Sequence, residues 1–138
     1  MRRTTPKTTV NAHFDALHRF YAAINRGDVA AAMRDFDPDI VRVEPAGFPT
    51  SGTYRGVAAV QAQFANARST WAEGACEPEE LLEKGDKVVA DVHVRVRLKG
   101  VTEWIDARIA DGFVFRAGRV VEFRTFATRA DARRWAGL

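Results

Sequence analysis

The residues of this sequence best suited to acid-base chemistry are two carboxyl side chains placed beside apolar stretches. The first is Glu44, which ends the β-rich stretch 40–44 and stands directly before a proline that fixes its direction. The loop that follows contains Phe48 and Pro49, whose apolar surfaces are expected to cover the carboxylate. A carboxylate shielded from water is a good general base. The alternative is a solvated carboxylate at the end of a strand.

The second carboxyl, Asp111, lies within an apolar alternating run. It shares strand parity with Ile109, Phe113 and Phe115, so its side chain is expected on the apolar face of a strand. An unpaired carboxylate is costly there and tends to keep its proton, which makes it a hydrogen-bond donor. The alternative is a structural hydrogen bond to a nearby backbone group. Glu44 and Asp111 are the predicted catalytic pair.

Aromatic side chains are numerous enough to line a cavity around these carboxyls. Most aromatic residues of a small domain belong to its core, but a cavity within the fold has to be lined by some of them. Tyr21 is the polar candidate in this group. The predicted substrate-contacting residues are Phe20, Tyr21, Phe48, Phe64, Phe113 and Phe123.

The first half of the chain predicts three helices and a strand that position these groups. The first helix is predicted from apolar residues at three- and four-residue spacing: Phe14, Leu17, Tyr21 and Ile24. Gly27 ends this helix, and Asp28 is placed to cap a second, short helix. A strand over residues 40–44, a turn-rich loop over 46–56 and a third helix over 57–71 follow.

The second half predicts an antiparallel meander and a closing helix. A strand region begins at Leu81, and residues 88–98 alternate most clearly between apolar and polar side chains. Its core face is predicted to hold Val88, Ala90, Val92, Val94, Val96 and Leu98. Glycine turns then separate strands over 101–115 and 119–127, and a short helix covers 129–135.

Together these elements predict an α+β fold in which three to four helices pack on a curved antiparallel sheet and leave a cone-shaped pocket. Residues 1–10 are basic and polar and are expected to form a disordered tail, and residues 11–138 a single domain. The polar face that carries His93, Arg95 and Arg97 is expected to be a sheet surface at a homodimer contact.

Composition limits the remaining possibilities. No apolar stretch near the N-terminus resembles a signal peptide or a membrane span, so a cytoplasmic protein is expected. Cys76 is the only cysteine, and it has no neighbours at metal-ligand spacing. The net charge of +3 comes from basic residues that are interleaved with acidic ones, which is typical of a solvated surface and disfavours nucleic-acid binding. No metal, nucleotide or flavin motif is present, so no cofactor is expected.

Four segments resemble successive stretches of the SnoaL-like and ketosteroid-isomerase-like proteins, within the nuclear transport factor 2-like (NTF2-like) superfamily. They are LHRFYAAINRGD at 17–28, DIVRVEP at 39–45, DGFVF at 111–115 and GRVVE at 118–122. Their order and spacing match across nearly the whole chain. The resemblance implies the cone-shaped fold of that superfamily, which serves isomerases, cyclases, dehydratases, epoxide hydrolases and non-catalytic domains.

The resemblance also implies roles for the two carboxyls. In ketosteroid isomerase a carboxylate at the position of Glu44 moves a proton between carbons, and a protonated carboxyl at the position of Asp111 helps a tyrosine to stabilise the enolate oxygen. That tyrosine falls on Phe20 here, and Tyr21 is one residue further along, turned by about 100° around the helix axis. These departures, and Glu in place of the usual Asp, argue against a steroid isomerase. Thr125 stands where an epoxide hydrolase needs an aspartate.

Two functions therefore remain open. The first is an enzyme of the isomerase or cyclase type that uses Glu44 and Asp111 on a small, apolar carbonyl compound. The second is a non-catalytic ligand-binding or dimerisation module with the same pocket.

Overall fold

A computed structural model describes residues 11–138 of the chain, and the predicted tail over residues 1–10 lies outside this part. Within it, the helices are α1 (Ala12–Asn25), α2 (Val29–Ala32), α3 (Val57–Ser69) and α4 (Arg129–Ala136). In this described part, no helix is long and apolar enough to cross a membrane.

The strands form one curved, open sheet. They are β1 (Phe36–Glu44), β2 (Gly52–Arg55), β3 (Trp71–Lys84), β4 (Lys87–Leu98), β5 (Trp104–Arg116) and β6 (Arg119–Phe126). Their order across the sheet is β2-β1-β6-β5-β4-β3, and neighbours are antiparallel except for β1 and β6, which run parallel. The predicted α+β class, with helices packed on a curved sheet, is confirmed, and the parallel pair is an addition to it.

The hairpin of α1 and α2 forms where the sequence predicts it. Asn11 caps α1 by accepting a hydrogen bond from the backbone N–H of Phe14, and Asp28 caps α2 in the same way from Ala31. Gly27 between the helices has φ +82°, a left-handed conformation that glycine adopts without steric cost. The chain therefore reverses direction over the three residues 26–28 and then leads to the sheet.

The strand pair at one edge of the sheet differs from the prediction. β1 begins at Phe36 and not at residue 40, although Pro38 lies within it. The proline is tolerated because the register between β1 and β6 shifts between Phe36 and Val41, where the hydrogen-bond ladder is interrupted. The predicted loop over 46–56 also contains β2, which pairs with β1.

The boundary between α3 and β3 is the largest correction. Trp71 was expected to continue the third helix, but α3 ends at Ser69 and Trp71 opens β3, ten residues before the predicted start at Leu81. Two register shifts, between residues 71 and 73 and between residues 78 and 80, interrupt the pairing of β3 with β4. Each shift moves the side-chain parity by one residue, so no period of two runs through the strand.

The two faces of the sheet are covered differently. One face packs against α1 and α3 and contains Val88, Ala90 and Val92, as the alternation predicts. The opposite face is covered at one end by α4, where Val89 and Ala110 pack against Ala132 and Ala136. The helices therefore do not all lie on one side, and only the face toward α1 and α3 leaves space for a cavity.

Candidate functional site

The space between the helices and the inner face of the sheet is a cavity of about 530 Å³. Its walls come from α1, α3, the loop between β1 and β2, and the inner faces of the strands. The lining is mostly apolar and includes Val92, Val94, Val96, Leu98, Ala107 and Ile109. Both predicted catalytic carboxyls, Glu44 and Asp111, line this same cavity. A volume of this size holds a drug-sized or smaller molecule.

The strand β1 directs Arg42 and Glu44 into the cavity. Ile40 is buried on the same face, so the alternation along β1 places the three side chains inward. Glu44 is held by two donors: its Oε2 accepts hydrogen bonds from the hydroxyl of Thr50 and from the amide of Gln63, the latter at 3.1 Å. Glu44 is thus a largely enclosed carboxylate, with its side chain 13% exposed.

Arg42 is a buried charged residue that lies beside Glu44. Its guanidinium donates one hydrogen bond, from Nη1 to the carbonyl of Val43 at 2.8 Å, and its Nη2 lies 3.8 Å from Oε1 of Glu44. The parallel pairing of β1 with β6 sets Arg42 beside Phe123, whose ring centroid lies 4.2 Å from the guanidinium carbon. Burial lowers the pKa of Arg42, and the neighbouring carboxyls oppose this change.

Asp111 lies on β5, two strands from β1 on the same inner face of the sheet, and is held by two hydroxyl groups. Tyr21 donates a hydrogen bond to Oδ2 at 2.6 Å, and Thr125 donates one to Oδ1 at 2.8 Å. Thr125 is the cross-strand partner of Asp111 in the pairing of β5 with β6. Burial raises the pKa of Asp111, while the guanidinium of Arg42 and the two hydroxyl donors act in the opposite direction. Asp111 is buried, as strand parity predicts, and its retained proton stays a prediction.

Tyr21 reaches the cavity even though it follows the position that the family resemblance assigns to a tyrosine. The face of α1 that buries Leu17, Phe20 and Ile24 also buries Tyr21. The hydroxyl of Tyr21 donates a hydrogen bond to Asp111. Burial, and then the charge of Asp111, raise the pKa of Tyr21 well above its ordinary value. A neutral tyrosine hydroxyl therefore lies beside the carboxyl.

The other predicted contact residues divide into two groups. Phe20, Phe48 and Phe64 line the cavity together with Phe123. Phe113 does not line it, because its fully buried ring is enclosed by other aromatic rings, including Phe123 at 4.4 Å between centroids. Phe113 is a core residue, which corrects its prediction as a substrate contact.

Several polar residues of the site were not predicted as site residues. Arg42 shares the parity of Glu44 along β1, which is the signal that places it in the cavity. Thr50 and Gln63 bind Glu44 from a loop and from a helix, so no spacing along the chain connects them to it. The sequence identifies Thr125 only as the residue that stands where an epoxide hydrolase needs an aspartate. Its role as a donor to Asp111 depends on the register between β5 and β6.

Cys76 also faces the cavity, from β3. The amide of Asn25 binds both backbone groups of Cys76, at 2.8 and 3.0 Å, which connects α1 to this strand. Burial is the main cause that raises the pKa of the Cys76 thiol to about 12. The side chain is therefore a neutral, apolar part of the wall at physiological pH.

The outer face of the sheet is separate from the cavity, as the sequence predicts. His93 hydrogen-bonds to Asp106 at 2.7 Å, and Arg97 pairs with Glu73 at 2.9 Å. The guanidinium of Arg95 stacks on Trp104. The homodimer contact expected on this face stays a prediction. Across residues 11–138, no group of three or more His, Cys, Asp or Glu side chains is arranged to hold a metal ion.

Comparison with known proteins places this geometry in a family. The SnoaL-like domain matches residues 17–123, which is most of the chain. An uncharacterized protein of Mycobacterium tuberculosis (strain H37Rv) is 29% identical over 120 residues, covering 86% of this chain and 90% of its own length.

Two solved structures have the same fold. An NTF2-like protein of unknown function from Burkholderia pseudomallei has a TM-score of 0.77 and 22% identity, over 94% of this chain and all of that one. A protein with a ketosteroid isomerase-like fold from Catenulispora acidiphila, in complex with trimethylamine, has a TM-score of 0.74 and 15% identity, over 90% and 93% of the two chains. The chain belongs to the SnoaL-like domain family and has the NTF2-like fold.

Proposed function

We propose that the cavity binds a small, largely apolar carbonyl compound and that the protein catalyses a proton transfer on it through an enol. The observation that carries the proposal is that Glu44 and Asp111 line one apolar cavity in different surroundings. The Glu44 side chain is 13% exposed, whereas Asp111 is buried between two neutral hydroxyl groups, and the guanidinium of Arg42 lies near both. Two carboxyls in unlike environments are suited to unlike acid-base roles.

Glu44 acts as the general base. The hydrogen bonds that it accepts from the described residues, from Thr50 and Gln63, both go to Oε2, so Oε1 keeps lone pairs for a proton. It removes a proton from the carbon next to the carbonyl and leaves an enolate. Returning the proton to a different carbon gives isomerisation, and expulsion of a leaving group or attack on a second carbonyl gives dehydration or cyclisation.

Tyr21 and Asp111 stabilise the enolate oxygen. When Asp111 carries a proton, it donates to the oxygen of Tyr21, and the Tyr21 hydroxyl turns toward the substrate oxygen. Thr125 holds the other carboxyl oxygen, so the carboxyl stays in place during this change. Neutral donors inside an apolar cavity stabilise developing negative charge more strongly than they do in water.

The test is the variant Glu44→Gln, measured on a library of small apolar carbonyl compounds. Turnover should fall by at least about a hundredfold because the base is lost, while the far-UV circular dichroism spectrum stays that of the wild type. Glu103→Gln, which changes an exposed carboxyl in the connection between β4 and β5, is the matched control and should keep full turnover. Unchanged turnover by Glu44→Gln would remove Glu44 from the mechanism.

A second candidate is a non-catalytic ligand-binding module. It is favoured by the hydrogen bonds that both oxygens of Asp111 and Oε2 of Glu44 already accept, an arrangement that also suits structural groups. This function predicts no turnover on the library. It also predicts a ligand-dependent rise in melting temperature that survives Glu44→Gln.

A further inference from the structure

Arg42 is buried in the cavity wall with most of its hydrogen-bonding capacity unused. Its residue is 3% exposed, and the hydrogen bond that its guanidinium donates to the described residues goes to the carbonyl of Val43. Its Nε is buried and has no partner among residues 11–138. A guanidinium carries five N–H donors, and leaving buried donors unpaired is costly.

A second cavity arginine shows the contrast. Arg68 also lines the cavity, but its Nε and Nη2 donate to the carbonyls of Ile24 and Asn25 at 2.8 and 3.1 Å. Those contacts connect α3 to the end of α1, which accounts for Arg68 as a structural residue. Arg42 makes no such connection between elements, because its acceptor, Val43, is the next residue along β1.

The nearby carboxyl does not use the donors of Arg42. Nη2 of Arg42 is 3.8 Å from Oε1 of Glu44, which is beyond hydrogen-bond distance. The hydrogen bonds from Thr50 and Gln63 hold Glu44 by its other oxygen. The charges of Asp111 and Glu44 therefore both favour the charged form of Arg42, while neither carboxyl accepts a hydrogen bond from the planar edge of the guanidinium.

The surroundings of Arg42 favour a planar anionic partner. The ring of Phe123 stacks on the guanidinium at 4.2 Å, and Phe64 lies 5.4 Å away. The two ring centroids are themselves 5.7 Å apart, so both rings lie to the same side of the guanidinium, with Phe123 over one face. The planar edge, where the N–H groups point, is the part suited to an anion. A carboxylate matches this edge because it can accept two parallel hydrogen bonds from a guanidinium.

We propose that Arg42 binds a carboxylate group of the ligand, so that the substrate class is a small carboxylic acid with an otherwise apolar body. This inference rests on the proposed binding of a small molecule in the cavity. The carboxylate pairs with the edge of Arg42, and the apolar body lies against the valine face of β4. The interaction is one of binding and orientation and involves no covalent step.

The experiment measures the affinity of the wild-type protein for three pairs of probes by isothermal titration calorimetry. The acids are benzoate, naphthalene-2-carboxylate and biphenyl-4-carboxylate, and each is paired with its primary amide, which has the same shape without the charge. At least one acid should bind about ten- to a hundredfold more tightly than its amide, the range of a charge-assisted hydrogen bond.

Variants locate the preference. Arg42→Met should reduce the acid-to-amide ratio to about one, and Arg42→Lys should give an intermediate ratio because it keeps the charge without the planar fork. Arg95→Met, on the outer face, is the control and should keep the wild-type ratio. A ratio that Arg42→Met leaves unchanged, with the variant folded, would contradict the assignment.

The wild-type measurement decides the inference even if Arg42→Met does not fold. If every amide binds as tightly as its acid, the inference is overturned, and the proposed ligand-binding function stands. If neither the acids nor the amides bind, the inference and the proposed function both fail.

Discussion

At the scale of single residues, the contact between Tyr21 and Asp111 is the strongest sign of acid-base chemistry. The hydroxyl and the carboxyl oxygen are 2.6 Å apart, and both side chains are buried. A proton on Asp111 reduces the charge that has to be buried and frees the Tyr21 hydroxyl for a ligand. The ionisation of Asp111 therefore affects both stability and the proposed chemistry.

The pH dependence of stability tests the state of Asp111. Because burial raises its folded-state pKa above the ordinary 3.8, its protonated form contributes stability that is complete below that value and is lost as pH rises through the folded pKa. Asp111→Asn stays neutral and lacks this loss. Urea unfolding between pH 4 and 8 should therefore show the advantage of wild type over Asp111→Asn shrinking as pH rises, at up to about 1.4 kcal/mol per pH unit. An advantage that grows with pH would contradict the shift.

The Cys76 thiol gives a second test at this scale. Its pKa of about 12, against an ordinary 9.0, leaves roughly a thousandfold less thiolate near pH 8. Alkylation by iodoacetamide should be slow in the folded protein and still accelerating between pH 8 and 10, and it should proceed at the ordinary rate in urea. A rate that levels off near pH 9 in the folded protein would show an ordinary, exposed thiol.

The sequence indicates part of this site for identifiable reasons. Glu44 and Asp111 could be predicted because each interrupts a local apolar pattern, and parity along a strand then assigns the face. Thr50 and Gln63 could not, because their contacts with Glu44 depend on how a loop and α3 pack over β1. Parity along β1 indicates the face on which Arg42 lies. An arginine near the end of a strand is usually solvated, however, and the burial of Arg42 depends on how other elements pack over it.

At the scale of elements, the sequence predicts those whose period is uninterrupted. The strand β4 and the helix α1 have unbroken periods of two and of 3.6 residues, and both form close to their predicted bounds. β3 does not have such a period. Gly74, with φ +122°, lies so close to the backbone of β4 that an added Cβ would approach the carbonyl of Arg95 to 2.2 Å. Position 74 of β3 therefore requires a glycine.

The attachment of α4 to the outer face makes a prediction about Gly112. An added Cβ there would lie 2.5 Å from Cζ3 of Trp135, so Gly112→Ala should destabilise the protein by about 1–3 kcal/mol through overpacking. In a Trp135→Ala background the same change should cost less, since the nearer ring is gone and only Phe126, at 3.0 Å, still crowds the added Cβ. Urea unfolding of the four proteins of this cycle measures the coupling. An equal cost in both backgrounds would show that α4 does not pack on Gly112.

At the scale of the whole molecule, fold and function are predictable to different degrees. Four short segments in the right order indicate the fold, because the apolar pattern of each element identifies the face that packs in the core. The apolar pattern does not predict the reaction, because the same fold supports several chemistries that differ in a few cavity residues. Phe20, at the position that the resemblance to ketosteroid isomerase assigns to a tyrosine, with Tyr21 beside it, is an example of such a cavity residue. The single domain over residues 11–138 and the cytoplasmic location stay predictions.

The most direct test of the central claim is hydrogen exchange at the carbon next to a carbonyl. Small aryl ketones with and without a carboxylate, such as 4-oxo-4-phenylbutanoate and 2-tetralone, are incubated in D₂O with the protein, and loss of the α-proton signal is followed by NMR. This readout detects enol formation whichever product the natural reaction gives. The account predicts that the wild type and Glu103→Gln accelerate exchange on at least one ketone, while Glu44→Gln leaves it at the buffer rate. Exchange at the buffer rate with the wild type, or acceleration that Glu44→Gln retains, would contradict it.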